Sequence, residues 1–454
     1  MTTLAAPLAR AERIPALDIA RGIAVLGVLI LNIWAFAGPQ DFFDYPRAIA
    51  DRAGAPVATW AVVHTLFEGS QRTLLSLLFG AGALLILQRL STRVDAATAR
   101  RVYLRRTGLL VVLGLVNAYL FLWPADILFV YGLAGLALYP LHRLGTKTLV
   151  VIIALAIAVP FGLRLADVAK LRTLEAAAAA VTARTAAGQP PDAAGAEALA
   201  AWQAKLDKAR PSASDPKLAG EIRVMQSGTL PEIARRQAVS SLILQTIVTV
   251  KWWFLDALAM MLVGLLICRH GLLTRPQPPR VHRLLMAAGF GIGLPLALWQ
   301  TATLLATDFH PVASVVTKYS YDLRRMAMMA GYLGLILAFC HSAAGLAAKR
   351  ALAATGRMAL TNYLAQSIVC GLLFYGFGLG LYGRVTGYQL YGIVALVWAL
   401  EIAWSVAWLA RFQIGPFEWL WRAATYGERQ PWHDRQQARA APVPHGDTRN
   451  EQAS

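Results

Sequence analysis

The stretch RIPALDIARGIAVLGVLILNIWAFAGP, residues 13–39, decides the fold. Its apolar run over 19–37 is long enough to cross a bilayer as a helix, which takes about 20 residues. The first turns of that helix carry Asp18 and Arg21, and its far end carries Asn32. Asp18 and Arg21 stand three residues apart, so on a helix they share a face and can pair. Charges at membrane depth are costly unless they face protein or water. The rest of the chain is therefore expected to pack around this helix, with the pair either anchoring the helix end or serving a site. Gly22 and Gly27 on the same helix permit close packing against neighbours.

Composition extends that reading to the whole chain. Of 454 residues, 57% are hydrophobic and 15% charged, with a mean hydropathy of +0.50. A soluble domain carries about 25% charged residues. Repeated apolar runs of spanning length make the chain an all-α, polytopic membrane helix bundle. The net charge of +18 raises nucleic acid as a partner. Much of it sits in short loops between apolar runs, where it reports topology, so no nucleic-acid partner is expected. Cys268, Cys340 and Cys370 lie in or beside apolar runs without CxxC spacing, which argues against a zinc site or a disulfide framework. The first apolar run is too long for a signal-peptide core and lacks an A-x-A exit, so no cleavable leader is expected. Walker A, H-E-x-x-H and G-x-S-x-G motifs do not occur, which excludes the corresponding ATPase, metalloprotease and hydrolase classes.

Hydropathy marks about ten spans. They fall at 19–37, 73–88, 108–123, 127–141, 149–165, 252–268, 284–305, 326–346, 358–378 and 391–410, with a further helix over 57–68. Arginine and lysine in the short loops alternate correctly if both termini are cytoplasmic. The chain then divides into N-terminal membrane helices (1–164), an extracytoplasmic Ala-rich helical segment (165–239), C-terminal membrane helices (240–427) and a disordered cytoplasmic tail (428–454). In the Ala-rich segment, Pro190-Pro191 and Pro211 punctuate two helix-prone halves, read as exposed helices with a flexible joint. The Gln-, Arg- and Pro-rich tail lacks the apolar residues needed to fold.

Six patterns recur in order along the chain: LDIARGIAVLGVLILNI, FEGSQRTLLSLLFGAGALL, ADILFVYGLAGL, LAMMLVGLL, GRMALTNYLAQS and GPFEWLWR. Together they resemble the YeiB-like family of bacterial inner-membrane proteins (domain of unknown function 418), over nearly the whole chain except the Ala-rich segment and the tail. The family is distantly similar to membrane acyltransferases such as the lysosomal heparan-glucosaminide acetyltransferase. In that enzyme a first-span Asn and a His in the following non-cytoplasmic loop carry the chemistry. Here the corresponding pattern L-I-L-N-I places Asn32, and His64-Thr-Leu-Phe-Glu-Gly shares the His, the aromatic at plus three and the glycine at plus five. The separation between Asn and His is longer here. The resemblance implies transfer from cytoplasmic acyl-CoA (acetyl-CoA) to a glycan, lipid or small-molecule acceptor on the other side of the lipid bilayer, with no metal.

Residue chemistry supplies the candidates. His64, Glu68 and Arg72 follow at intervals of four, one helical face on which Glu68 would orient a neutral imidazole as base. The same residues would equally make the polar face of an interfacial helix, and Arg72 is read with the substrate groups. Asn32 would hold a carbonyl or an acceptor by hydrogen bonds, or tie two helices together. Asp126 follows Trp123-Pro124 and either caps the next helix or joins an acceptor site. Arg21, Arg357 and Asn362 stand at the cytoplasmic ends of spans one and nine, where arginine geometry suits donor phosphates; an Asp18–Arg357 pair is the structural alternative. Lys251, Asp256 and Glu401 are ionisable groups in or at spans. They line a substrate cavity, pair with Arg324 or Arg325, or form the proton relay of a transporter, which is the competing function.

Overall fold

The computed structural model describes residues 14–49, 54–212, 215–428 and 432. The tail expected over 428–454 lies outside them apart from Glu428 and Trp432. Helices make up most of the described chain. Helix α1 (Pro15–Ala37) is followed by short α2 (Asp41–Asp44), α3 (Gly54–Leu66), α4 (Ser70–Arg93), α5 (Ala96–Tyr119) and α6 (Leu128–Leu141). Then come α7 (Thr146–Ala186), α8 (Ala193–Ala209), α9 (Pro216–Ser227), α10 (Leu230–Ile243) and α11 (Phe254–Arg269). The order closes with α12 (Pro279–Ala306), α13 (Pro311–Thr317), α14 (Tyr321–His341), α15 (Leu346–Arg357), α16 (Ala359–Phe374), α17 (Gln389–Arg411) and α18 (Pro416–Tyr426).

Each expected span is built on a helix, although those read over 108–123, 326–346 and 358–378 leave the helix after Tyr119, His341 and Phe374. Seven helical stretches among the described residues reach membrane-spanning length and apolarity, while α6 and α16 are apolar but shorter. The bundle is therefore that of an all-α membrane protein, and a count of ten would require α5, α6 and α16 to cross as well. The expected fifth span differs in extent. Helix α7 runs without a break to Ala186, because nothing in its Ala-rich half stops a helix. A continuous helical path likewise joins α10 to α11 through a π-helical turn over Leu244–Trp253. The Pro190-Pro191 joint does separate α7 from α8. Helix α9, however, is docked and not exposed: Gly376 N donates to Met225 O (2.8 Å), and Tyr382 Oη donates to Glu221 Oε1 (2.7 Å).

Two close crossings organise the bundle. On α4 and α11, a Cβ on Gly80 would sit 1.9 Å from Met261 O, and one on Gly264 would sit 1.9 Å from Leu77 O. On α1 and α15, a Cβ on Gly22 would meet Leu352 O at 2.2 Å, and one on Gly356 would meet Asp18 O at 1.8 Å. Small residues that let backbones touch are the main resource for helix association in lipid, where burial of apolar surface gives little between helices. The largest buried cluster, including Leu77, Ala81, Leu84, Met261 and Leu265, forms around the first crossing. A second cluster, including Leu29, Ile33, Trp123, Tyr363 and Phe374, sits between α1, α16 and α17.

Gly264→Ala is expected to force α4 and α11 apart and cost about 1–3 kcal/mol, the usual penalty of overpacking. Gly291→Ala, at a position with nothing within 4 Å of an added Cβ, serves as control. Thermal melting of the two variants in detergent checks this; equal melting would mean the crossing does not carry the fold.

Candidate functional site

Two polar regions lie toward opposite ends of α4. At the C-terminal end of that helix is a cavity of about 400 Å³. Its lining along α4 runs from Leu75 to Arg89, a length of about 21 Å at 1.5 Å per residue. Arg21, Arg89, Arg106, Arg357 and Arg422 converge on it from α1, α4, α5, α15 and α18. The interior is apolar, with Leu78, Phe79, Ile127 and Leu128, and three tyrosines, Tyr103, Tyr131 and Tyr363, also face it. A cluster of guanidinium groups on an apolar slot fits a ligand with an anionic head and an acyl or other apolar body.

The arginine end is held by specific contacts. Arg21 Nη1 pairs with Asp18 Oδ1 at 3.0 Å, as the spacing predicts. Arg357 donates to Gln413 O (3.0 Å), not to Asp18. Arg106 stacks on Trp421, 3.6 Å from the ring centroid, while Trp421 Nε1 donates to Arg106 O (2.8 Å). Glu418 of α18 turns inward and caps α16. Its Oε1 accepts from Leu360 N (2.7 Å) and Thr361 N (3.0 Å), and its Oε2 accepts from Thr361 Oγ1 (2.6 Å). A carboxylate at a helix N-terminus satisfies orphan amides and meets the favourable end of the dipole. Burial nonetheless pushes the Glu418 carboxyl above the usual range.

Asp126 lies in the turn before α6, behind Tyr363. Its carboxylate accepts from Asn117 Nδ2 (2.7 Å), Phe129 N (2.8 Å) and Tyr363 Oη (3.3 Å). The Phe129 bond is the capping role open from the sequence; the Tyr363 bond joins Asp126 to the cavity wall. Burial outweighs these donors and raises the Asp126 carboxyl to about 7.

At the other end of α4 is a buried charge network. His64 Nε2 pairs with Glu68 Oε2 at 2.9 Å, and Nδ1 lies 2.8 Å from Thr301 Oγ1. The ring stacks on Trp60 with centroids 4.6 Å apart. Arg324 Nη2 reaches Glu68 Oε2 at 3.2 Å, and Nη1 donates to His64 O (3.2 Å). The expected His64–Glu68–Arg72 row does not form, because Gly69, at φ +76°, breaks the helix between α3 and α4. That left-handed conformation suits glycine alone without strain, and a Cβ there would also strike Tyr321 Oη at 2.7 Å. Past the break Arg72 turns to Asp256 Oδ2 (3.4 Å). Asp256 also pairs with Arg325, Arg325 with Asp322 (2.9 Å), and Asp322 with Arg164 (2.5 Å). Four arginines thus meet three carboxylates, drawn from α4, α7, α11, α14 and the turn between α3 and α4.

The structure brings His64, Glu68, Arg72 and Asp256 into one neighbourhood, and Arg21 and Arg357 into another. Asn32 joins neither: it is half-buried on α1, and no hydrogen bond among the described residues ties it to His64 or Glu68. Asn362 is fully buried and donates to Thr355 O (3.1 Å) and Ser405 Oγ (2.9 Å), away from the cavity lining. His64 does not line the cavity either. Tyr131 and Arg72 stand between the two regions, with Tyr131 Oη 2.7 Å from Ser76 Oγ and 3.2 Å from Arg72 O. Sequence reasoning passed over Tyr363 and Glu418 at the cavity and took Arg89 and Arg106 only as loop charges that report topology; in the network it passed over Thr301, Asp322 and Arg164. Glu418 stands inside GPFEWLWR, an acid in an otherwise apolar and basic motif, and was open to detection; Thr301 carries no local signal.

Comparison with known proteins places the chain among relatives without assigned activity. Residues 267–428 match the family model "Protein of unknown function (DUF418)". The chain is 30% identical over 426 residues to the uncharacterized protein YeiB of Escherichia coli (strain K12), covering 91% of this chain and 96% of that one. It is 28% identical over 443 residues to the uncharacterized protein YxaH of Bacillus subtilis (strain 168), covering 92% and 96%. No solved structure matches it.

The Asp126 carboxyl gives a pH signature. Its folded value is raised, so its contribution to stability is full below the unfolded value of 3.8 and is lost as pH rises through about 7. Melting temperature is expected to fall across that window in the wild type, and this part of the slope is expected to vanish in Asp126→Asn. Identical slopes would remove Asp126 from the pH response.

Proposed function

The chain belongs to the YeiB-like family of proteins of unknown function (DUF418), and from that premise we propose that it is a membrane-embedded acyltransferase. Its donor is acyl-CoA, bound from the cytoplasm in the arginine-mouthed cavity. The acceptor is a glycan, lipid or small molecule on the opposite face. The observation that carries this reading is the cavity itself, because it joins an arginine cluster to an apolar slot that reaches toward the far end of α4. Arg21 and Arg357 would hold donor phosphates by charge-assisted hydrogen bonds. Both termini are cytoplasmic in this reading, which sets the arginine end inside and His64 outside.

At the outer end His64 supplies the base. Glu68 on Nε2 fixes the ring orientation and leaves Nδ1 facing the Thr301 hydroxyl. An acceptor hydroxyl would replace that of Thr301 at the same distance. His64 would take its proton as the acceptor oxygen attacks the thioester carbonyl. The new C–O bond forms, the C–S bond breaks, and the thiolate leaves to be reprotonated as coenzyme A thiol. The acyl carbonyl would reach His64 past Tyr131 and Arg72. Proton-coupled transport of a small molecule is the second reading, favoured by the carboxylates and arginines buried together on spanning helices α7, α11 and α14.

Calorimetry of acyl-CoA with the detergent-purified protein decides between them. Saturable binding is expected, weakened about tenfold in Arg357→Ala, the loss of one charge-assisted contact worth about 1.5 kcal/mol. His64→Ala is expected to keep binding and lose transfer. Absence of binding by folded protein would sink the donor assignment and favour transport; retained transfer in His64→Ala would remove His64 from the chemistry.

A further inference from the structure

Glu401 sits at the middle of α17 and is 6% exposed. No salt bridge reaches it among the described residues. Its Oε2 accepts from Gln366 Nε2 of α16 at 3.2 Å, and the same nitrogen donates to Val25 O of α1 at 3.2 Å. Both amide hydrogens of Gln366 are thereby used. The remaining oxygens, Glu401 Oε1 and Gln366 Oε1, are buried and have no hydrogen-bond partner. Turning the amide over does not resolve this, because it would set Gln366 Oε1 against the Val25 carbonyl. The neighbouring titratable side chain is the Cys370 thiol, one turn along α16.

An ionised carboxylate here would lie in the membrane core with one neutral partner, and burying an unpaired charge is prohibitive. A single hydrogen removes both difficulties. Placed on Glu401 Oε1, it would neutralise the acid and could be given to Gln366 Oε1. The acid and amide then close a cyclic pair in which each gives one hydrogen bond and takes one. We infer that the α1–α16–α17 interface is a proton-binding site within the membrane, with Glu401 holding the proton at neutral pH in a cyclic pair with Gln366. Val25, whose carbonyl Gln366 holds, also lines the arginine cavity, but the inference does not rest on the acyl-transfer reading and stands or falls apart from it. Loss of the proton would leave a bare carboxylate between α16 and α17, so its occupancy keeps that interface closed.

Infrared difference spectroscopy on the full-length protein in lipid at neutral pH tests this. The wild-type minus Glu401→Gln spectrum is expected to contain a protonated-carboxyl C=O band that shifts in D₂O. Glu401→Gln is expected to melt with the wild type, because two paired amides reproduce the same donors and acceptors. Gln366→Met is expected to move the band to higher frequency, as the acid hydrogen loses its acceptor, and serves as the readout if Glu401→Gln does not fold. A spectrum without a carboxyl band sensitive to either substitution would overturn the inference. So would melting that rises with added Na⁺ or K⁺, which would put a metal cation where the proton is assigned.

Discussion

The crossing of α4 and α11 at Gly80 and Gly264 is the constraint from which the rest follows. With the two backbones in contact, every residue above the crossing is held at a fixed lateral distance from its counterpart. Arg72 and Asp256 lie the same distance ahead of the glycine on each helix (72 to 80, 256 to 264), and this common register sets them face to face. Once Asp256 is buried there it must be compensated, and Arg325 of α14 meets it from the other side. Arg325 in turn requires Asp322, and Asp322 takes Arg164 of α7. Burying charge in pairs is costly and leaves little net stability. What it provides is specificity, since each helix has one azimuth at which its charge is met.

The opposite end of α4 follows another logic. There a slot lies between α1, α4, α5, α6 and α18, and charged groups line its rim. Helix α18 inserts Glu418 as a cap on α16 and sets Trp421 beneath Arg106. Arg21, Arg106 and Arg357 are thus each held by a contact within the protein, and are positioned before any ligand arrives. Pre-positioned cations lose less freedom on binding than side chains that must first be ordered.

Hydropathy made the helical bundle legible, because in lipid a spanning segment must be apolar and helical. The charge pair on α1 was equally legible from its spacing. What escaped were the features that depend on long-range partners. The row through His64, Glu68 and Arg72 follows helical periodicity, yet a glycine in a left-handed turn redirects its last member. Arginines read as topology signals, such as Arg89 and Arg106, also line a cavity, and nothing local distinguishes one role from the other. Helix α7 was cut at the end of its apolar part because composition changes there, although helix propensity does not.

Helix α7 also has a mechanical consequence. At about 1.5 Å per residue it is roughly 60 Å long, about twice the hydrocarbon thickness of a bilayer. Arg164 stands between its apolar half and its Ala-rich half, clamped to Asp322. The helix is therefore pinned ionically along its length, by Arg164 to Asp322 and further on by Asp167 to Lys251 and Glu175 to His310, so a load applied to the hairpin tip between α7 and α8 would be shared among these pairs and passed through Asp322 to Arg325. A partner grasping that tip would have a rigid handle on the interior of the bundle.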